Sequence, residues 1–224
     1  MEQIESLALF PLSDVVLLPE VSVPLYIFEP RYREMARDVL SGSQQIGMVT
    51  VRPDAIQDMA GDPRIFEIGC VGRIAQAQQR PDGTYQIMLV GESRFRILEE
   101  APRQTPRLYR TARVELLAEK SIEGPEETHR LHHAREELLE LLERLVRRVD
   151  REEDPGQTME AFKRLESPRL VNALTQAISF SPVERQQLLQ ADSATRRFET
   201  MSDLLRFRLA EMGMNENSSP SLPN

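Results

Sequence analysis

The hydrophobic positions of this chain change period once, close to residue 118. From Leu7 to about Leu117 they fall in short extended runs. Leu7 to Phe10, Val23 to Phe28, Gln45 to Val51 and Cys70 to Gln78 each read as strands. Pro81-Asp82-Gly83 predicts a turn, because Pro presets one backbone angle and Gly accepts a positive one. It joins the Cys70 run to Thr84-Tyr85-Gln86-Ile87-Met88-Leu89-Val90 as a hairpin. Gly91-Glu92-Ser93 then interrupts the pattern before Arg94-Phe95-Arg96-Ile97, and a lone Gly between strand runs marks a bulge or a corner of the kind a barrel needs. One helix is inserted: Pro30 suits a first helical position, and Tyr32, Met35, Ala36, Val39 and Leu40 form an apolar stripe that ends at Gly42.

Past Glu119 the period becomes helical. Gly124-Pro125-Glu126-Glu127 opens a helix with acids at the positive end of its dipole. Leu131, Ala134, Leu138, Leu141, Leu145 and Val149 follow at three- and four-residue spacing, with Glu140–Arg144 and Glu143–Arg147 paired on the outer face. Asp154-Pro155-Gly156 breaks this helix, Ser167-Pro168 opens another, and Ser181-Pro182-Val183-Glu184 carries a capping box. A last helix is predicted from about Ala194 to Met212, stopping at Gly213. The expectation is an α+β protein: a small bent β-barrel with one inserted helix over 1–118, an α-helical bundle over 119–213, and a polar, disordered tail over 214–224.

Two strands are apolar on both faces. Val23, Leu25 and Ile27 point one way and Tyr26 and Phe28 the other, while Met88 and Val90 oppose Tyr85, Ile87 and Leu89. A small barrel needs only its inner face apolar, so something must cover the outer one. Either the helical half or another chain does so, or Tyr26, Phe28 and Met88 border a groove for extended hydrophobic segments.

Composition narrows the function classes. The chain has 224 residues and a net charge of -8, which disfavours a protein whose main work is neutralising phosphates. Its basic residues are nearly all Arg, Lys120 and Lys163 being the lysines. Neither lysine sits in a Gly-rich loop before Ser or Thr, so a P-loop is excluded, and neither is placed as the base of a Ser-Lys hydrolase. The sequence therefore reads as non-enzymatic, with no cofactor. His129 and His133 lie one helical turn apart and could ligate a metal with Glu136 or Glu137. The run lacks the Glu of the zinc-protease pattern, however, and a solvated face with His132–Glu136 and His133–Glu137 pairs is the simpler reading, with no metal. Cys70 reads as a small core residue. The start of the chain has no basic, unbroken apolar leader and no run reaches membrane-spanning length, which places it in the cytoplasm and off the membrane.

Two stretches carry a specific resemblance. One is Phe10-Pro11-Leu12-Ser13-Asp14-Val15-Val16-Leu17-Leu18-Pro19 followed by Val23 to Met35 through Glu29-Pro30-Arg31-Tyr32-Arg33. The other is Gly69-Cys70-Val71-Gly72-Arg73-Ile74, then Asp82-Gly83-Thr84-Tyr85 and Gly91-Glu92-Ser93-Arg94-Phe95-Arg96-Ile97. Their order and spacing resemble the N-terminal, substrate-binding domain family of Lon proteases, including its short members that stand alone. Glu184-Arg185-Gln186-Gln187-Leu188-Leu189-Gln190 resembles a run in the helical part of that family. The resemblance implies a PUA-like barrel followed by a helical bundle, and a module that binds unfolded or exposed hydrophobic segments of client proteins. It implies protein clients or a protease or chaperone partner, and leaves a homo-oligomer open. An alternative is RNA binding on the PUA-like barrel, with Arg73, Arg94 and Arg96 along one face. Glu29, Pro30, Arg31, Tyr32, Gly72 and Gly91 are expected to be structural: the first four at a strand-to-helix junction, the glycines for backbone geometry.

Overall fold

The structure is a computed structural model and describes residues 2–59, 61–102, 107–149 and 156–217. It is α+β, with a six-stranded sheet and helices. The strands are β1 (Gln3–Leu12), β2 (Ser22–Ile27), β3 (Gln45–Thr50), β4 (Ile68–Gln79), β5 (Tyr85–Glu100) and β6 (Thr111–Leu117). The helices are α1 (Pro30–Leu40), α2 (Gly124–Val149), α3 (Gly156–Lys163), α4 (Ser167–Ala177), α5 (Pro182–Gln190) and α6 (Ala194–Asn217), and a 3-10 turn spans Pro53–Asp58.

The strands run in the order β2-β5-β4-β3-β1-β6, and β6 pairs again with β5. That second pairing closes β5, β4, β3, β1 and β6 into a ring and leaves β2 as a flap on the first half of β5. β5 can serve both neighbours because it bends. Val71 pairs with Ser93 and Gly72 with Gly91, so Glu92 is the extra residue of a bulge. Before the bulge β5 pairs with β2; after it, from Arg94 to Glu100, with β6. A bulge of this kind raises local twist and re-aims a strand, which lets one long strand turn a barrel corner.

Each ring strand gives the interior an apolar residue: Leu7 and Leu9 from β1, Val49 from β3, Val71 from β4, Phe95 from β5 and Val114 from β6. Alternate positions face a second core. There Phe10, Ile46, Cys70 and Leu89 pack with Met35 and Tyr32 of α1, with Leu17 and Leu18, and with Leu189 of α5.

The chain forms two compact units: Met1–Ala118 with Asn172–Gln190, and Glu119–Val171 with Ala191–Asn224. This division and the expected helical half, 119–213, treat 172–190 differently. The reason is a polar anchor that periodicity does not report. Gln186 is buried; the Thr50 hydroxyl donates to its Oε1 at 2.7 Å, and its Nε2 donates to the Ile68 carbonyl at 2.9 Å. Asn172 Nδ2 donates to the Pro19 carbonyl at 3.1 Å and Arg94 Nη1 to the Leu189 carbonyl at 3.4 Å. These bonds make the segment part of the strand-rich unit.

The second unit rests on α2 packed against α6. Leu131, Ala134, Leu138 and Leu141 are buried as the stripe predicts, Leu145 is half-buried, and the side chain of Val149 lies outside the described residues. Glu143 pairs with Arg147, and Glu137 with Arg206 of α6 rather than with His133. The predicted break at Asp154-Pro155 also lies outside the described residues, and α3 begins at Gly156. α6 does not stop at Gly213 but continues to Asn217, because one Gly inside a helix costs only about 1 kcal/mol. Of the expected disordered tail, 214–217 is helical, and 218–224 lies outside the described residues.

Candidate functional site

Register places the outward-facing residues of β2, β5 and β4 in rows. Pro24, Met88 and Gln76 form one row, and Tyr26, Gln86 and Gln78 the next. These six side chains border a groove of about 490 Å³. The opposite positions of β2 behave as a core-facing strand should: Val23 and Ile27 are buried and Leu25 is half-buried. Among the described residues that line the groove there is no carboxylate and no charged side chain.

Tyr26 is 47% exposed and Phe28 60% exposed, and their rings stack with centroids 6.0 Å apart and 28° between planes. Two large rings held open to solvent on adjacent outward positions make an apolar rim along the β2 edge. Met88 is half-buried on the groove floor. The guanidinium of Arg80, just past the end of β4, lies 5.6 Å from the centre of the Tyr26 ring and so sets a positive charge beside that lining residue. The three residues singled out in the sequence thus lie together, with Tyr26 and Met88 lining the groove and Phe28 extending its rim. The amides of Gln76, Gln78 and Gln86, with Pro24, complete the lining, and Arg80 stands beside Tyr26 outside it. None of these was singled out from the sequence; the period-two spacing of Gln76, Gln78 and Arg80 was the available signal.

The turn beside the groove is stiff. Asp82 Oδ1 accepts from the Thr84 amide at 2.9 Å and from its hydroxyl at 2.7 Å. These bonds, the hydroxyl's first and then the amide's, hold the Asp82 carboxyl below its ordinary value, with Arg80 and Arg33 adding to the effect.

The Glu29 to Tyr32 motif has a different place. Glu29 is the N-cap of α1 and Pro30 its first residue. Arg31 Nε donates to Glu29 Oε2 at 3.0 Å and Nη1 to the Gly61 carbonyl at 2.9 Å, while its guanidinium covers the Tyr32 ring at 4.5 Å. Tyr32 in turn packs on Phe10 of β1, centroids 4.6 Å apart. The motif therefore ties the helix start, the loop before β4 and β1 together. At Gly72 an added Cβ would lie 2.5 Å from Leu89 Cγ, and at Gly91 one would lie 2.0 Å from the Leu18 carbonyl oxygen.

Other candidates are accounted for locally. Arg73 pairs with Glu92 and Arg96 with Glu115 at 3.7 Å, both arginine side chains 49% exposed, while Arg94 is 3% exposed. Cys70 is buried, and burial pushes its thiol far above the ordinary range, away from nucleophilic character. His132 Nδ1 lies 3.2 Å from Glu136, and among the described residues no group of three or more His, Cys, Asp or Glu is placed to hold a metal ion. No described helix is long and apolar enough to cross a membrane.

Comparison with known proteins gives one family. Residues 6–206 match the model described as the ATP-dependent protease La (LON) substrate-binding domain. The Lon protease of Azospirillum brasilense is 27% identical over 190 residues, covering 84% of this chain and 22% of that protein. The Lon protease of Dictyoglomus thermophilum is 25% identical over 199 residues, covering 88% of this chain and 24% of that protein. The chain thus spans about a quarter of the length of these relatives. Among solved structures, a Lon N-terminal domain protein from Xanthomonas campestris superposes with a TM-score of 0.59 at 25% identity, covering 88% of this chain and 97% of that one. The N-terminal domain of the Mycobacterium avium complex Lon protease has the same fold, with a TM-score of 0.67 at 20% identity, covering 90% of this chain and 98% of that one.

Proposed function

This chain belongs to the substrate-binding domain family of ATP-dependent protease La (Lon), and from that premise we propose that it is a non-enzymatic module that binds exposed hydrophobic segments of client proteins along the β2-β5-β4 groove. The observation that carries this reading is the pair of stacked, exposed rings, Tyr26 and Phe28, beside a groove that no charge lines. Exposed aromatic anchors next to a pliable Met suit varied apolar clients, because each offers a large contact area at low conformational cost. The 224 residues contain no Gly-Lys-Ser/Thr phosphate loop, so this module's own part in the reading is to hold the client, not to bind a nucleotide through a P-loop.

Single changes of Tyr26 and Phe28 to Ser test the reading. Surface changes of this kind stay within about 0.5 kcal/mol, whereas removing a buried aromatic costs about 3–5 kcal/mol. The melting curves should therefore nearly overlay that of the parent chain. Binding of a reduced, carboxymethylated and permanently unfolded protein should weaken severalfold in each variant. Parental binding by both variants would overturn the proposal; unfolding of both would return the rings to the core.

A further inference from the structure

The groove has a positive charge beside it, and that sign specifies a class of client. We propose that it binds an extended peptide in which a large apolar residue is followed or preceded, two positions away, by an acidic side chain, the carboxylate resting on Arg80. This rests on the reading of the groove as a client site.

Three observations carry it. First, Arg80 is placed for the role: it is exposed, its guanidinium stands 5.6 Å from the Tyr26 ring centre, and among the described residues it has no ion-pair partner. The nearby carboxylate, Asp82, is turned to Thr84, from which it accepts two hydrogen bonds, and its charge reaches Arg80 without an ion pair between them. Second, the rest of the groove offers only amides and apolar surface, in a chain whose net charge is -8. A groove with no carboxylate in its lining and one guanidinium beside it is complementary to a single negative charge beside an apolar contact. Phosphate strings need a succession of cations, which Gln76, Gln78 and Gln86 do not supply. Third, the geometry suits an extended chain on the sheet face. Same-face side chains of a strand recur about every 7 Å, so an apolar side chain against Tyr26 and an acid two residues away reach both partners together. Pro24 lies in β2, which among the described residues pairs with β5 alone, and it has no N–H to offer an added strand. The face, rather than the edge, is therefore the docking surface.

The test uses the full chain and three labelled Gly/Ser-rich peptides that differ at one position: Phe-Ser-Asp, Phe-Ser-Asn and Phe-Ser-Lys. By fluorescence anisotropy at low salt the Asp peptide should bind about threefold more tightly than the Asn peptide, as an exposed ion pair predicts. The Lys peptide should be weakest, and added salt should shrink the difference. Arg80→Gln should bring the Asp-to-Asn ratio close to one, Arg80→Lys should keep most of it, and Arg80→Glu should invert the order in favour of Lys. A ratio near one in the parent chain, or a preference that survives Arg80→Gln, overturns the proposal. Tyr26→Ser separates the two levels. If it weakens all three peptides while the ratio is one, the groove stands and the acidic preference fails. If it weakens none, or if the parent chain binds none, the groove reading fails as well. Displacement of the Asp peptide by a single-stranded RNA oligonucleotide, lost in Arg80→Gln, would assign Arg80 to nucleic acid and overturn the peptide assignment.

Discussion

A methyl group on Gly91 would stand 2.0 Å from the Leu18 carbonyl oxygen and 2.8 Å from its carbonyl carbon. Both are backbone atoms held in place: the Gly91 amide donates to the Val21 carbonyl at 2.9 Å, and the Glu20 amide donates to the Gly91 carbonyl at 2.8 Å. The same methyl on Gly72 would meet side-chain atoms of Leu89 and Leu17 at 2.5–2.8 Å, which new rotamers can partly relieve. Gly91→Ala should therefore be the more damaging change. Overpacking of side chains costs about 1–3 kcal/mol, which is the range expected for Gly72→Ala in urea unfolding, and Gly91→Ala should exceed it. Equal losses would mean that the Leu18 to Val21 loop yields as readily as a leucine side chain. Gly91 stood out in the sequence by its position between strand runs, whereas Gly72 lies inside one. The atoms they make room for were not legible there, because Leu17 and Leu18 reach them from a loop far away in sequence.

At the scale of elements, local signals were read well and non-local ones poorly. The Ser181 capping box is present, with the Ser181 amide donating to Glu184 Oε2 at 2.6 Å and the Glu184 amide to Ser181 Oγ at 3.3 Å. Pro30 opens α1, and Gly91-Glu92-Ser93 marks the bulge in β5. By contrast β6 and α3 have no punctuation as strong, and neither stands out as a separate element in the sequence pattern. The ion network joining α2 to α6 also escaped sequence reading, since Arg130 and Glu199 are far apart along the chain. Arg130 Nη2 donates to Glu199 Oε1 at 2.8 Å, and Arg196 Nη1 donates to Oε2 at 3.2 Å. The Arg130 bond, ahead of the Arg196 bond, holds the Glu199 carboxyl below its ordinary value of 4.5. A carboxyl depressed in the folded state stabilises it above pH 4.5 and loses that contribution as pH falls through the depressed value. The parent chain should therefore lose an increment of stability below pH 4.5 that Glu199→Gln lacks. Because Arg130 is 60% exposed, the increment should stay below about 1 kcal/mol. Parallel stability–pH curves for the two proteins, measured by chemical unfolding, would remove Glu199 from the account.

For the molecule as a whole, the candidate site shows where a single sequence stops being informative. Tyr26 and Phe28 could be singled out because apolar side chains on both faces of a strand demand an explanation, whereas Arg80 could be placed beside Tyr26 only once β4, β5 and β2 were in register. The segment 172–190 behaves in the same way, since it carries a buried amide whose partners lie over a hundred residues away. Gln186 receives the Thr50 hydroxyl and donates to the Ile68 carbonyl, and both contacts are within the strand-rich unit. Gln186→Ala would leave that buried hydroxyl and carbonyl without their partner and open a void. An unsatisfied buried group costs about 1–3 kcal/mol, so the loss should be at least about 2 kcal/mol. It should be felt in one unit before the other. Amide hydrogen exchange should speed up in β3, β4 and α5 while α2 and α6 keep their parental protection. Adding Thr50→Val to Gln186→Leu should recover part of the loss, because removing both partners spares the desolvation of an orphaned hydroxyl. If α2 and α6 lose protection as much as β3 and β4 do, the chain unfolds as one cooperative body. If nothing changes in β3 or β4, the segment 172–190 does not hold the barrel together, and Thr50 and Ile68 find other partners.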